Sequence, residues 1–244
     1  AVLVKLAAAP QDLAVAALAG LARGWPKDQP AELGPQAEAA LVALVDALPA
    51  QAQGQVVTLA QRVGSKALDS RIGRISDALV AGIDDAGAAD AVRVAAAEKL
   101  VHLRPGDAAV VDIVMQRVGG KAGPELSAGL LAALGRSTVA EAPAAILDRL
   151  ASFTPPVREA AIRTVLANRD WAALLVDRLE KKLVNLGDVP IADRSKLTEH
   201  PDRRVRDRAK KAIAAGGGLP NADRQKVIDE ILPVVADRKS TRLN

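Results

Sequence analysis

The stretch Val157-Arg158-Glu159-Ala160-Ala161-Ile162-Arg163-Thr164-Val165 constrains the fold most, because its pattern, Val-Arg-x-x-Ala-x-x-x-aliphatic, recurs along the chain. Val92-Arg93, Ala96 and Leu100 repeat it, and so do Val205-Arg206, Ala209 and Ile213, while Leu13, Ala17 and Leu21 keep its apolar positions without the arginine. Steps of four place the three apolar residues along one stripe of a helix. Thr154 is the expected N-cap of the Val157 helix, and Pro155 and Pro156 fall in the first turn, where no intrahelical amide donor is needed. The arginine lies inside the apolar arc. Its stem is expected to pack while its head meets a carboxylate from a neighbouring turn. A helical unit that recurs, each copy too small to bury its own face, predicts a helical-repeat solenoid.

The frame resembles the HEAT repeat, in which the second helix of each pair opens with such a Val-Arg. The resemblance implies an all-α, HEAT-like α-solenoid of stacked antiparallel helix pairs. Composition agrees with an all-α fold: half of the 244 residues are hydrophobic but only 1% are aromatic, so Ala, Leu, Val and Ile must fill the core. Ala and Leu favour helix, and the aromatics that favour strand are nearly absent. With no cysteine in the sequence, disulfides, thiolate zinc sites, cysteine nucleophiles and c-type haem attachment are excluded within these residues. No apolar run approaches the roughly 20 residues of a membrane span, and the first residues lack the order of a signal peptide. The sequence opens inside an apolar helical pattern, Ala1-Val2-Leu3-Val4-Lys5-Leu6, and we expect the native protein to extend upstream of it.

Taken in order, residues 1–9 and 12–23 form an expected helix pair broken at Pro10, followed by an irregular stretch over 24–30. Pro35 opens a helix to about Leu48, and the frame Val56, Ala60, Gly64 marks its partner, ending near Arg62. Helices are then expected over about 67–81, from Val92 to about His102, over 107–118 and 124–135, over 139–152, and from Val157 onward. They continue over 171–184, briefly at 195–198, and over 203–215. Second-helix starts recur at roughly 30 to 50 residues, the range of HEAT and armadillo units.

Candidate chemistry is sparse. His102 stands at a helix end and is expected to be a cap or surface residue. His200-Pro201-Asp202 is the tripeptide of J-domain loops, but no aromatic helix pair flanks it, and Pro201 and Asp202 have a local task in stopping one helix and capping the next. The two histidines have no HExxH spacing, no Gly-x-Gly-x-x-Gly follows a strand, and no serine lies in a Gly-x-Ser-x-Gly elbow. The sequence therefore assigns no catalytic, cofactor-binding or metal-ligating residue. Trp25 and Trp171 are expected to be packing anchors. Arg203, Arg204, Arg206, Arg208, Lys210 and Lys211 crowd one helix, a pattern by which some HEAT-like proteins grip phosphates. Asp202 and Asp207 offset it and no aromatics interleave for base stacking, so an ordinary solvated face or a docking face for an acidic partner is the expectation.

A second resemblance lies at the C-terminal end. Leu183-Val184-Asn185-Leu186-Gly187-Asp188, Ala192-Asp193-Arg194, Leu197, His200-Pro201-Asp202, Val205 to Lys211 and Asp223-Arg224-Gln225-Lys226-Val227-Ile228 resemble the segment ahead of the cytochrome in large planctomycete-type proteins. Those are described as putative membrane-bound dehydrogenases or haem-binding proteins, with a sugar-dehydrogenase-like propeller, a HEAT region and a c-type cytochrome. The resemblance implies a non-catalytic scaffold over residues 1–215, a linker over 216–222 and a lead-in helix over 223–236. Its partners would be adjacent domains of the same protein, or another protein. Haem c is expected only in a following domain, through a Cys-x-x-Cys-His that no residue here supplies, and export follows if the resemblance holds. Residues 237–244, Asp-Arg-Lys-Ser-Thr-Arg-Leu-Asn, resemble a translated sequencing adapter and are expected to be non-native. They carry three basic residues and one acidic residue, so they account for +2 of the formal net charge of +4. The remaining +2 is too small to argue for nucleic acid.

Overall fold

The computed structural model describes residues 2–26, 30–120 and 122–217. Among these residues there is no strand, and the α-helices, in chain order, are α1 (Val2–Ala7), α2 (Gln11–Gly24), α3 (Pro35–Ala47), α4 (Ala50–Val63), α5 (Asp69–Asp84), α6 (Asp90–Leu103), α7 (Ala108–Met115), α8 (Pro124–Leu134), α9 (Ala142–Asp148), α10 (Pro155–Ala167), α11 (Arg169–Glu180), α12 (Ile191–Thr198) and α13 (Arg203–Gly217). The expected all-α class is what the chain adopts. The expected lead-in helix over 223–236 and the tail over 237–244 lie outside the described residues, as does the linker beyond Gly217. That linker was expected to begin at residue 216, but α13 carries on to Gly217.

The chain divides into two compact units, one ending at Asn168 and the other beginning at Arg169. In the first unit each helix packs on its sequence neighbour (α1 on α2, α3 on α4, α5 on α6, α7 on α8, α9 on α10), and the second helices also pack in succession, α2 on α4, α4 on α6, α6 on α8 and α8 on α10. Its core includes Leu18, Leu41, Leu44, Val56 and Leu59, none more than 2% exposed, with Trp25 partly buried against them. Close approach of the second helices is built into small residues. A methyl on Gly54 of α4 would stand 1.8 Å from the His102 carbonyl oxygen of α6, so only glycine fits that crossing. In the second unit α11 and α12 both pack on α13, and Trp171 is buried in α11.

Local chemistry sets the helix ends. Prolines occupy the first turn of α3, α8 and α10, where their missing amide costs nothing. Asp107 accepts from the Ala109 amide at 2.9 Å and Asp202 from the Arg204 amide at 2.7 Å, each capping the helix that follows. Thr154 occupies the N-cap position of α10, but its side chain makes no capping bond; the two prolines that follow leave few first-turn amides for it to receive. Gly64, in the left-handed region at φ 76°, ends α4, and its neighbour Ser65 donates its amide to the Ala60 carbonyl at 2.9 Å.

The apolar frame holds unevenly. Val157, Ala161 and Val165 are all 2% exposed or less. Val205 and Ala209 are buried too, with Ile213 half-buried. In α6, however, Val92 is 59% exposed and only Leu100 of the frame is buried. In α2 the stripe is displaced by one residue: Leu13 is 59% exposed, while Ala14, Leu18 and Ala22 are buried. Both helices are apolar around most of their circumference, so several rows of step four compete and packing chooses between them. In α4 the frame begins a turn earlier than expected, with Ala52 buried ahead of Val56 and Ala60.

Candidate functional site

The recurrent arginine resolves into a shared device. Arg93, Arg158 and Arg206 are each the fourth residue of their helix, and each reaches back to carbonyls at the turn that precedes it. Arg93 Nε donates to the Ile83 oxygen at 2.8 Å, Arg158 Nε and Nη2 to the Leu150 and Phe153 oxygens, both at 3.1 Å, and Arg206 Nη1 to the His200 oxygen at 3.1 Å. Carboxylate contact accompanies this in α6, where Arg93 lies 3.6 Å from Asp90 of its own first turn. Carbonyls at a helix C-terminus have no intrahelical donor and carry partial negative charge, so a guanidinium there both satisfies hydrogen bonds and complements the dipole.

The same position works without the Val-Arg signature, which is why the sequence pattern missed it. Gln53, fourth in α4, donates to the Val45 and Leu48 oxygens at 2.9 and 3.1 Å. Arg194, fourth in α12, donates to the Val189 and Leu186 oxygens at 3.2 and 3.0 Å. Ser127, fourth in α8, inverts the polarity and accepts from the Gly119 amide at 3.1 Å. A second set of arginines ties one helix pair to the one before: Arg62 Nη1 donates to the Trp25 oxygen at 2.9 Å, and Arg117 makes a two-pronged contact with Asp84 at 2.5 and 2.6 Å. The hydrogen bond from Arg117 holds the Asp84 carboxyl below its usual range, and the pairing raises the guanidinium in return.

Three of the six basic residues of α13 engage partners within their own unit. Arg206 closes the turn at His200, Arg203 lies 3.4 Å from Asp207 on its own helix, and Arg208 contacts both Glu180 and Asp177. Hydrogen bonds lower both carboxyls, Glu180 through Arg208 and Asp177 chiefly through Lys181. Arg204, Lys210 and Lys211 stand exposed. Beside Lys211 lies a cleft of about 520 Å³ lined by Leu179, Val184, Leu186, Ala212 and Ala215, with Lys182 and Lys211 among its polar residues. These apolar residues come together only when α11, the turn after it and α13 meet, and nothing in their sequence spacing announces it.

Both histidines have structural partners. His200 is buried; its Nδ1 accepts from the Asp202 amide at 3.1 Å, so Nε2 carries the hydrogen and donates to the Arg169 oxygen at 3.2 Å. The capping task expected of Asp202 is the one it performs, accepting from the Arg204 amide at 2.7 Å. His102, half-buried in the last turn of α6, faces Arg136 Nη1 at 3.2 Å. Asp193, buried in α12, pairs with Lys196 at 2.7 Å. Among the described residues no group of three or more His, Cys, Asp or Glu could hold a metal ion, and no helix is long and apolar enough to cross a membrane. No family model, curated protein or solved structure matches the chain.

Proposed function

We propose that this chain is a HEAT-like α-solenoid segment whose function is to hold other domains in fixed relation. The observation that carries it is the succession of second helices, α2 on α4 on α6 on α8 on α10, combined with a clamp at the same helical position in pair after pair. A unit that contacts only its neighbours makes a repeat array, and such arrays present extended surfaces rather than a reaction centre. By resemblance, the domains it joins are a dehydrogenase-like domain and a c-type cytochrome, so electron transfer belongs to the parent protein and the haem to the domain that follows.

Two measurements test this. A compact domain of the first unit's 168 residues has a radius of gyration of about 15 Å, and small-angle scattering of residues 1–168 should give a clearly larger value; a value near 15 Å refutes the solenoid. The source locus should encode Cys-x-x-Cys-His within roughly 50 residues after Ala236, where two thiols would attach the porphyrin and the histidine ligate iron. A continuation without it removes the cytochrome role. The exposed Arg204, Lys210 and Lys211 favour one rival, a nucleic-acid grip. Duplex affinity tighter than about 1 μM at physiological salt, lost when these three become alanine, would establish that rival instead.

A further inference from the structure

In the second helices of the first unit, a glycine marks a close crossing. A methyl on Gly54 of α4 would collide with the His102 oxygen of α6, and one on Gly129 of α8 would stand 2.3 Å from Val94 of α6. Gly20 and Gly24 of α2 depart from this rule, because a methyl on either would meet no atom within 4 Å. Glycine costs a helix interior about 1 kcal/mol against alanine, and packing inside the chain gives no reason for Gly20. The face that carries it is apolar and open. At 100° per residue Leu13, Ala16, Ala17, Gly20 and Gly24 share one arc of α2, and all but the half-buried Ala17 are exposed.

The charges beside this face complement a second copy of it. Asp12 in the first turn of α2 and Arg23 in the last are both exposed, and both border the arc on the side away from the core. A two-fold axis crossing α2 between Leu18 and Ala19 lays the helix antiparallel on its own copy. That places Leu13 over Gly24, Ala17 over Gly20, and Asp12 beside Arg23 of the other copy. Arg23 Nε donates to the Ala19 oxygen of its own helix, so its Nη groups carry the contact. Glycine and alanine at the crossing let the helix axes approach to the short end of the usual range, about 8 Å.

We propose that α2 is a self-association face: two copies of this chain pair antiparallel through Leu13, Ala17, Gly20 and Gly24, with Asp12 of each against Arg23 of the other. Each leucine fills the space that a glycine of the other copy leaves open. The contact uses the same patch on both copies and therefore closes at two. One helix face on each side buries less than the roughly 1,000 Å² of a lasting interface, so the pairing is weak and governed by concentration. It does not rest on the scaffold function, because α2 presents this face whatever the array holds.

Sedimentation velocity of the full chain from about 10 μM to about 1 mM should show a monomer and dimer in equilibrium. Asp12→Arg and Arg23→Asp each set like charges together at both ends of the contact, and each alone should weaken the dimer at least about tenfold. Mixed in equal amounts, the two variants regain opposite charges at both ends and should associate at about the native strength. Gly20→Leu fills the crossing point without touching its own chain, so it should abolish the dimer and leave the melting temperature of the dilute chain unchanged or raised. A chain that stays monomeric over the whole range overturns the proposal. Association that survives both single charge reversals, or a mixture that stays monomeric, overturns the antiparallel pairing, and a dimer indifferent to Gly20→Leu refutes the face itself.

Discussion

Replacing Arg158 by methionine isolates the clamp, because methionine keeps the apolar stem and discards only the guanidinium. The half-buried head donates to two carbonyls, of Leu150 and Phe153, each at 3.1 Å. Hydrogen bonds from a charged donor contribute about 1.5–3 kcal/mol each, net of water. The turn is partly open, so water recovers some of this for the orphaned carbonyls, and the expected loss is about 2–3 kcal/mol in all. For a chain of this size that corresponds to a fall of about 4–12 °C in melting temperature. Urea denaturation followed by circular dichroism measures it, with Arg163→Met as the comparison: Arg163 is a more exposed residue of the same helix, paired with Glu159, and a surface pair contributes about 0–1 kcal/mol. Glutamine performs the same task at residue 53, so Arg158→Gln should recover part of the loss. The clamp is refuted if Arg158→Met costs no more than Arg163→Met, or if Arg158→Gln behaves like Arg158→Met.

Gly54→Ala should destabilise by about 1–3 kcal/mol, because the new methyl meets the His102 carbonyl of a packed helix. Gly73→Ala in α5, with no atom within 4 Å of the added carbon, should stabilise by up to about 1 kcal/mol through helix propensity; thermal melts of the two read opposite signs. Val157→Asp should cost about 3 kcal/mol for burying an unpaired charge, whereas Val92→Asp, at the same place in the frame but exposed, should cost little in urea denaturation. The Asp84 carboxyl is lowered in the folded state by Arg117, so its stabilisation is present above the unfolded value near 3.8 and is lost as pH falls through the lower folded value. Asp84→Asn should therefore flatten the acid limb of the stability profile below about pH 4 and leave the limb above neutrality unchanged.

What the sequence determined by itself is what repeats or is written within a few residues: the helical class, the order of the helix pairs, the proline starts at residues 35, 124 and 155, and the Asp202 cap. These are decided by local sterics and short-range hydrogen bonds, which a row of letters carries directly. The recurrence of Val-Arg marked the clamp but not its partner, because a backbone carbonyl has no letter of its own. Gln53, Ser127 and Arg194 take the same position with different chemistry, so only the geometry reveals them as equivalents. Tertiary structure alone decided which apolar row each helix buries. In α2 most of the circumference is apolar and in α6 apolar residues are spread over several faces, and the neighbours select Ala14 over Leu13 and leave Val92 in solvent. It alone brought Leu179, Val184, Leu186 and Ala212 to one cleft, since residues from two helices and a turn share a surface only once packing has set the distance between them.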